Sequence, residues 1–153
     1  VPTALLAFAV VSTGLFAGYF LSFMSGVMPG LRRVSDEQFA TAMRRFNEKV
    51  PGPVFLLIFL GAVAFPLASW LVPVDDRTDT QGTLLLAGLA CSVLGHLVTI
   101  GGNVPLNNVL AASEGRGDER AARAAFEGRW TALHALRTLL AVAAFALVTA
   151  AAL

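Results

Sequence analysis

Four stretches of about 20 residues, almost free of charge, decide what this chain can become: residues 4–28, 53–72, 83–102 and 131–153. An α-helix of about 20 apolar residues crosses the hydrocarbon core of a bilayer, so each stretch is long enough to span it. Strands fit poorly. The runs lack period-2 alternation and are rich in Ala, Leu and Gly, and 153 residues are too few for a large closed barrel. A helix, by contrast, satisfies its own backbone in lipid. Composition agrees, with 56% hydrophobic and only 14% charged residues, where a soluble domain carries about 25% charged. The expected fold is all-α: a transmembrane four-helix bundle forming a single membrane domain over 1–153. No basic residue precedes the first run, and it exceeds the apolar length of a secretory leader, so it reads as a span.

Charge placement sets an expected orientation. Arg32, Arg33, Arg44, Arg45 and Lys49 lie between spans one and two; Arg116, Arg120, Arg123 and Arg129 lie between spans three and four. The remaining loop holds only Arg77, beside Asp75, Asp76 and Asp79. Under the positive-inside rule, loops 29–52 and 103–130 face the cytoplasm and both termini face outside. The net charge of +1 says nothing about partners, and no nucleic acid is expected. The single cysteine, Cys91, forms no intrachain disulfide, and neither a zinc-site spacing nor a Gly-rich phosphate loop occurs. The partners expected are the lipid bilayer and an apolar small molecule.

The basic loops read as ordered. Ser35 and Gln38 form a capping-box pattern, and Phe39, Ala42, Met43, Phe46 and Val50 recur at helical spacing. A short amphipathic helix over about 36–50 follows, lying in the interface with its stripe in lipid or against the bundle. Pro51-Gly52-Pro53 breaks it. Asp118 is a good N-cap, from which a helix runs through Trp130 into span four.

Small residues recur every fourth position at Gly14, Gly18, Ser22 and Gly26, and again at Gly88 and Ser92. They permit close helix packing within the bundle or a homo-oligomer contact through the first set. The polar residues on apolar helices are the candidate site. His96, Thr99 and Asn103 share one face of span three, and Trp130, His134 and Arg137 share one face of span four. Pro105 is expected to kink or end its helix, freeing a backbone acceptor. Arg137 lies one to two turns inside a span, where a guanidinium either snorkels to the interface or finds acceptors. Asn107 lies at the same depth, so the two side chains are expected to meet directly or through one water.

These residues together resemble a family. The order runs Thr13-Gly-Leu-Phe-Ala-Gly18, Met28-Pro-Gly-Leu-Arg32, Phe39, Ala42-Met43 and Phe46-Asn47. Pro53-x-Phe55 and Phe59-x-Gly61 follow, then Thr99, Asn103-Val-Pro-Leu-Asn107, Phe126, Trp130, His134 and Arg137-Thr138. The chain is similar in this to the anthrone oxygenase-like family of small four-span membrane proteins, most specifically in Asn-Val-Pro-Leu-Asn and in the Trp and Arg seven apart. Where this chain has His134, that family usually has Asn.

The resemblance implies O2-dependent oxidation of a flat, apolar anthrone to an anthraquinone, a polyketide-pathway oxidoreductase activity. Such chemistry needs a greasy slot, a general base and donors for a developing oxyanion. The expected base is His96 or His134, with His96 preferred because relatives replace His134 by Asn. Arg137, Asn103 and Asn107 are the expected oxyanion donors; Trp130, Phe46, Phe126 and Thr99 are the expected substrate contacts. No cofactor is expected; the alternative is a haem or metal held by His96 and His134. A second functional class is a non-catalytic membrane protein, an accessory subunit or a small-molecule or haem binder, in which the polar cluster only locks helices together.

Overall fold

The computed structural model describes residues 2–75 and 77–153. Asp76, counted above in the acidic loop, lies outside the described residues. Among these residues all regular structure is helical, and four helices are long and apolar enough to cross a membrane. Helix α1 begins as Pro2–Ser22, widens into a π-helical turn at Phe23–Val27 and finishes as Met28–Leu31. Helix α2 is Asp36–Lys49 and α3 is Pro53–Leu71. Helix α4 runs Asp79–Val98, widens at Thr99–Asn103 and continues as Val104–Ala112; α5 is one uninterrupted helix, Glu119–Ala152.

The spans form a ring in which α1 packs on α3 and α5, and α4 packs on the same two. Close approach to α5 depends on two glycines. A Cβ at Gly88 would stand 2.8 Å from Val148 Cγ2, and one at Gly14 would stand 2.9 Å from Phe145 Cε2. Gly14 of the small-residue stripe is thus used within the bundle, while Gly18, Ser22 and Gly26 face outward. The exterior is apolar, with Leu57 70% and Leu139 67% exposed, whereas Thr13, His96, Asn103, His134, Arg137 and Thr138 are buried. That inverted distribution suits a lipid surround and a polar interior.

Pro105 distorts its helix without ending it, and α4 continues to Ala112. A proline inside a helix removes one N–H and crowds the carbonyl four residues back. Here the preceding turn is wide, with the Val104 N–H donating to the Thr99 carbonyl, five residues back. The same solution appears before Pro29, where the Met28 N–H donates to the Phe23 carbonyl. Two prolines therefore carry two π-turns, a feature common at functional sites.

Helix α2 lies against the bundle. Its capping box is formed by Ser35 and Gln38, and Phe39, Ala40 and Met43 are fully buried against Met28, Leu110, Phe126 and Trp130. Two arginines fasten it. The buried Arg44 donates to the Leu110 carbonyl at 3.0 Å, to Ser113 Oγ at 2.7 Å and to both oxygens of Glu119. Arg123 of α5 donates to the Val34 carbonyl at 3.0 Å and to Asp36 at 3.2 Å, and sits over the Phe39 ring. Removing the partner of a buried charge such as Arg44 typically costs about 3–5 kcal/mol, and the more exposed Arg123–Asp36 pair contributes less. On the solvent side, the Arg45 hydrogen bond, reinforced by Lys49, holds the Glu48 carboxyl below its usual range. That exposed contribution is present above the unfolded carboxylate value and fades as pH falls through the lowered one. At the far end of the bundle, Arg77 donates to the carbonyls of Ser69, Trp70 and Val72, capping the C-terminus of α3.

Candidate functional site

A cavity of about 80 Å³ lies where the two π-turns face α5, beneath the C-terminal end of α2. Both π-turns contribute to its wall, through Phe23 and Thr99, and α5 contributes Trp130, His134 and Arg137. Tyr19, Phe20 and Phe55 complete an aromatic lining, and Asn47, Val50 and Pro51 close the end nearest α2.

Arg137 is buried inside the bundle. Its Nε donates to His134 Nδ1 at 3.0 Å, and its Nη1 stands 3.4 Å from Thr99 Oγ1. The guanidinium carbon lies 4.4 Å from the Phe20 ring centroid and 5.3 Å from that of Trp130. Among the described residues no carboxylate pairs with it; every ion pair in the protein involves other arginines or Lys49. The expected meeting with Asn107 is not a direct one. Asn107 Oδ1 accepts from Trp130 Nε1 at 2.8 Å, which fixes the amide in the same cavity wall.

His134 is held by two partners of opposite kind. The Phe20 carbonyl, 3.1 Å from Nε2, can only accept, and Arg137 Nε can only donate to Nδ1. The ring is therefore the neutral Nε2–H tautomer with its lone pair already engaged. It stacks on Trp130 at 4.8 Å with the planes 12° apart. An Asn at this position would present an acceptor oxygen to the same Arg137 Nε.

His96 does not line this cavity. Its two ring nitrogens lie 2.7 Å from the Ser92 carbonyl and 2.7 Å from the Phe59 carbonyl, and its ring packs 3.9 Å from that of Phe59. It joins α4 to α3, with both ring nitrogens turned to backbone carbonyls and away from the cavity. Of the two histidines only His134 lines the cavity, and among the described residues no group of three or more ligand-type side chains gathers. Asn103 is also outside the cavity; its Nδ2 donates to the Trp130 carbonyl at 3.1 Å. Phe46 is partly exposed and touches Phe23 edge-on, and Phe126 packs between Phe39 and Trp130. Of the nine candidate residues, the cavity brings together Thr99, Asn107, Trp130, His134 and Arg137. His96, Asn103, Phe46 and Phe126 support it from outside.

The family profile described as anthrone oxygenase matches residues 39–147, from α2 through most of α5. The chain belongs to the anthrone oxygenase family. No curated protein and no solved structure matches it. The matched region of this anthrone oxygenase family member contains all five cavity residues found from the sequence, and Asn47, Val50, Pro51, Phe55 and Val104 as well. Tyr19, Phe20 and Phe23 come from α1, outside the matched region. Asn47 carried a signal that went unread: it lies four residues after Met43 and eight after Phe39, on the buried stripe of α2. A polar side chain on an apolar stripe calls for a polar partner.

Proposed function

We propose that this protein is a cofactor-independent membrane oxygenase that converts an anthrone-type polycyclic aromatic to the corresponding quinone with O2. The observation that carries this reading is Arg137: a buried guanidinium, without a carboxylate, in the wall of an aromatic cavity. A cation so placed favours an anionic ligand, and flat aromatic walls favour a flat aromatic one. An anthrone that loses a methylene proton is both, with its negative charge delocalised onto the ring oxygen.

The chemistry balances without an outside reductant. The delocalised carbanion gives an electron to O2, the resulting pair joins as a C–O bond, and the hydroperoxide expels water to leave the carbonyl. Both methylene hydrogens and one oxygen atom leave as water. In this scheme Arg137 and the Asn107 amide stabilise the oxyanion, and aromatic walls exclude bulk water. His134 holds Arg137 by its Nε. Because the His134 lone pair is engaged by Arg137 and His96 stands outside the cavity, water carries away the first proton once Arg137 has made the anion accessible. The end of the bundle bearing α2 and the Ser113–Asp118 loop is assigned to the cytoplasm on its excess of arginines.

The test is O2 uptake by purified protein in lipid nanodiscs with an anthrone substrate, without nicotinamide, flavin or metal, after subtracting spontaneous autoxidation. The expected result is a saturable rate with formation of the quinone. No rate above background with any anthrone tried overturns the reading.

A further inference from the structure

Five buried side-chain polar atoms lack a hydrogen-bond partner among the described residues: Asn47 Nδ2, Ser69 Oγ, Asn103 Oδ1, Thr131 Oγ1 and Thr149 Oγ1. Only Asn47 also lines the cavity that holds Arg137. We propose that Asn47 is a specificity residue that reads a second oxygen on the substrate, a ring hydroxyl at the edge remote from the oxyanion held by Arg137. The proposal rests on the oxygenase reading given above and assigns a recognition role to one residue of that site.

Three observations support the placement. First, the position of Asn47 is imposed. Helix α2 is pinned by Arg44 to Glu119, Ser113 and the Leu110 carbonyl, and by Arg123 to Asp36 and the Val34 carbonyl. A buried donor kept unsatisfied on a rigidly anchored helix is costly in the empty protein, and a ligand oxygen relieves that cost.

Second, Asn47 and Arg137 enter the cavity from different helices, α2 and α5. Two donors carried on separate helices suit two different oxygens of one flat ligand. Third, the wall between them is aromatic: Phe23 lies 6.2 Å from Trp130 and 6.1 Å from His134, ring centre to ring centre. Two polar points joined by an aromatic slot match a polycyclic ring oxygenated at both ends.

The experiment uses binding, so that turnover is not needed. Full-length protein in nanodiscs, in a Trp70→Phe background, is titrated by quenching of Trp130 fluorescence. The probes are an anthraquinone with hydroxyls only beside one carbonyl, and the same compound with one more hydroxyl at the far edge. The wild type should prefer the second by about tenfold, equivalent to about 1.4 kcal/mol. Asn47→Leu should erase the preference, leave affinity for the first compound unchanged, and melt no lower than wild type, because the unpaired donor is gone. Asn47→Ala gives the same loss of preference if leucine overfills the site and lowers the yield of folded protein. Equal affinity of the wild type for the two compounds, retention of the preference in both variants, or equal weakening of the two compounds would overturn the inference. Failure of the wild type to bind either compound would instead remove the oxygenase reading beneath it.

Discussion

Replacing Arg137 by Met separates a site built for a ligand from a cluster that merely locks helices together. The guanidinium makes one good hydrogen bond, to His134 at 3.0 Å, and one long one, to Thr99 at 3.4 Å. Hydrogen bonds to a charged group contribute about 1.5–3 kcal/mol each, the long one less. The two aromatic contacts, at 4.4 and 5.3 Å, add about 0.5–2 kcal/mol apiece. Against this stands a desolvation penalty of several kcal/mol for a cation without a counter-ion. The terms nearly cancel, and Met has similar length and an apolar character suited to the aromatic wall. The variant should therefore lose no more than about 2 kcal/mol, chiefly from the unpaired Nδ1 of His134. Turnover, however, should fall by about 10²–10³-fold, the usual loss for one oxyanion donor. Arg137→Lys should lie between, since a point charge replaces the fork that grips His134 and substrate together. Stability is read by reversible detergent unfolding, and turnover by O2 uptake in the same nanodiscs. If Arg137→Met loses more than about 4 kcal/mol, or if it folds and keeps its turnover, the residue is a helix lock and the reasoning fails.

His134→Asn should keep most activity, while His134→Ala loses it with Arg137 released. Equal activity of these two variants, measured side by side, would show that the acceptor at this position does nothing. His96→Phe should lower stability by about 1–3 kcal/mol through the loss of its bonds between α4 and α3. The protein that remains folded should turn over with an unchanged pH profile, and an altered profile would return His96 to the chemistry. For orientation, Cys91→Ala with a single cysteine at Asp75 or at Arg116 suits labelling, since both sites are exposed, whereas Thr78 and Ser113 make cap and clamp hydrogen bonds. An impermeant thiol reagent on intact cells should label the Asp75 site and spare the Arg116 site; the reverse pattern would invert the topology.

The spans, the α2 helix and its capping box were legible because long apolar runs and Ser35…Gln38 are local signals. The fourth helix was legible too, from Asp118 onward. What failed was the assumption of one uniform helical period. Thr99 and Asn103 share a face only if 3.6 residues make every turn, whereas His96, on the regular helix before them, turns to the Phe59 carbonyl of α3. The π-turn at Thr99–Asn103 inserts an extra residue and turns the register, so that Thr99 faces the cavity while Asn103 bonds to the Trp130 carbonyl behind it. Pro105 announced a distortion but not its form, and Pro29, in the same setting, was read only as part of a motif. On α5, which has no such defect, Trp130, His134 and Arg137 do share one face and all three line the cavity. Phe46 and Phe126 were misplaced for another reason: spacing places an aromatic on a face but does not say whether that face meets a cavity or another helix.

The kinds of polar atom in the cavity bear on how the reaction runs. Around the aromatic slot stand the guanidinium of Arg137, the amides of Asn47 and Asn107, and the hydroxyl of Tyr19. The one imidazole present has its lone pair directed at Arg137, and no carboxylate belongs to the lining. A site of this composition stabilises negative charge and does little to accept a proton. Under the proposed oxygenase reading, its contribution is to make the substrate easier to ionise, with the proton leaving by water, and to hold the resulting anion where O2 can reach it. Oxygen needs no binding site of comparable polarity, because it is small and apolar and is more soluble in lipid than in water. A bundle whose exterior is hydrocarbon and whose interior carries an unpaired cation thus meets both requirements at once. In the proposed reaction the membrane supplies the apolar reactants, and the buried arginine supplies the field that turns one of them into an anion. Burial is what makes that field strong: the same arginine at the headgroup level would be screened by water and counter-ions to a small fraction of its effect.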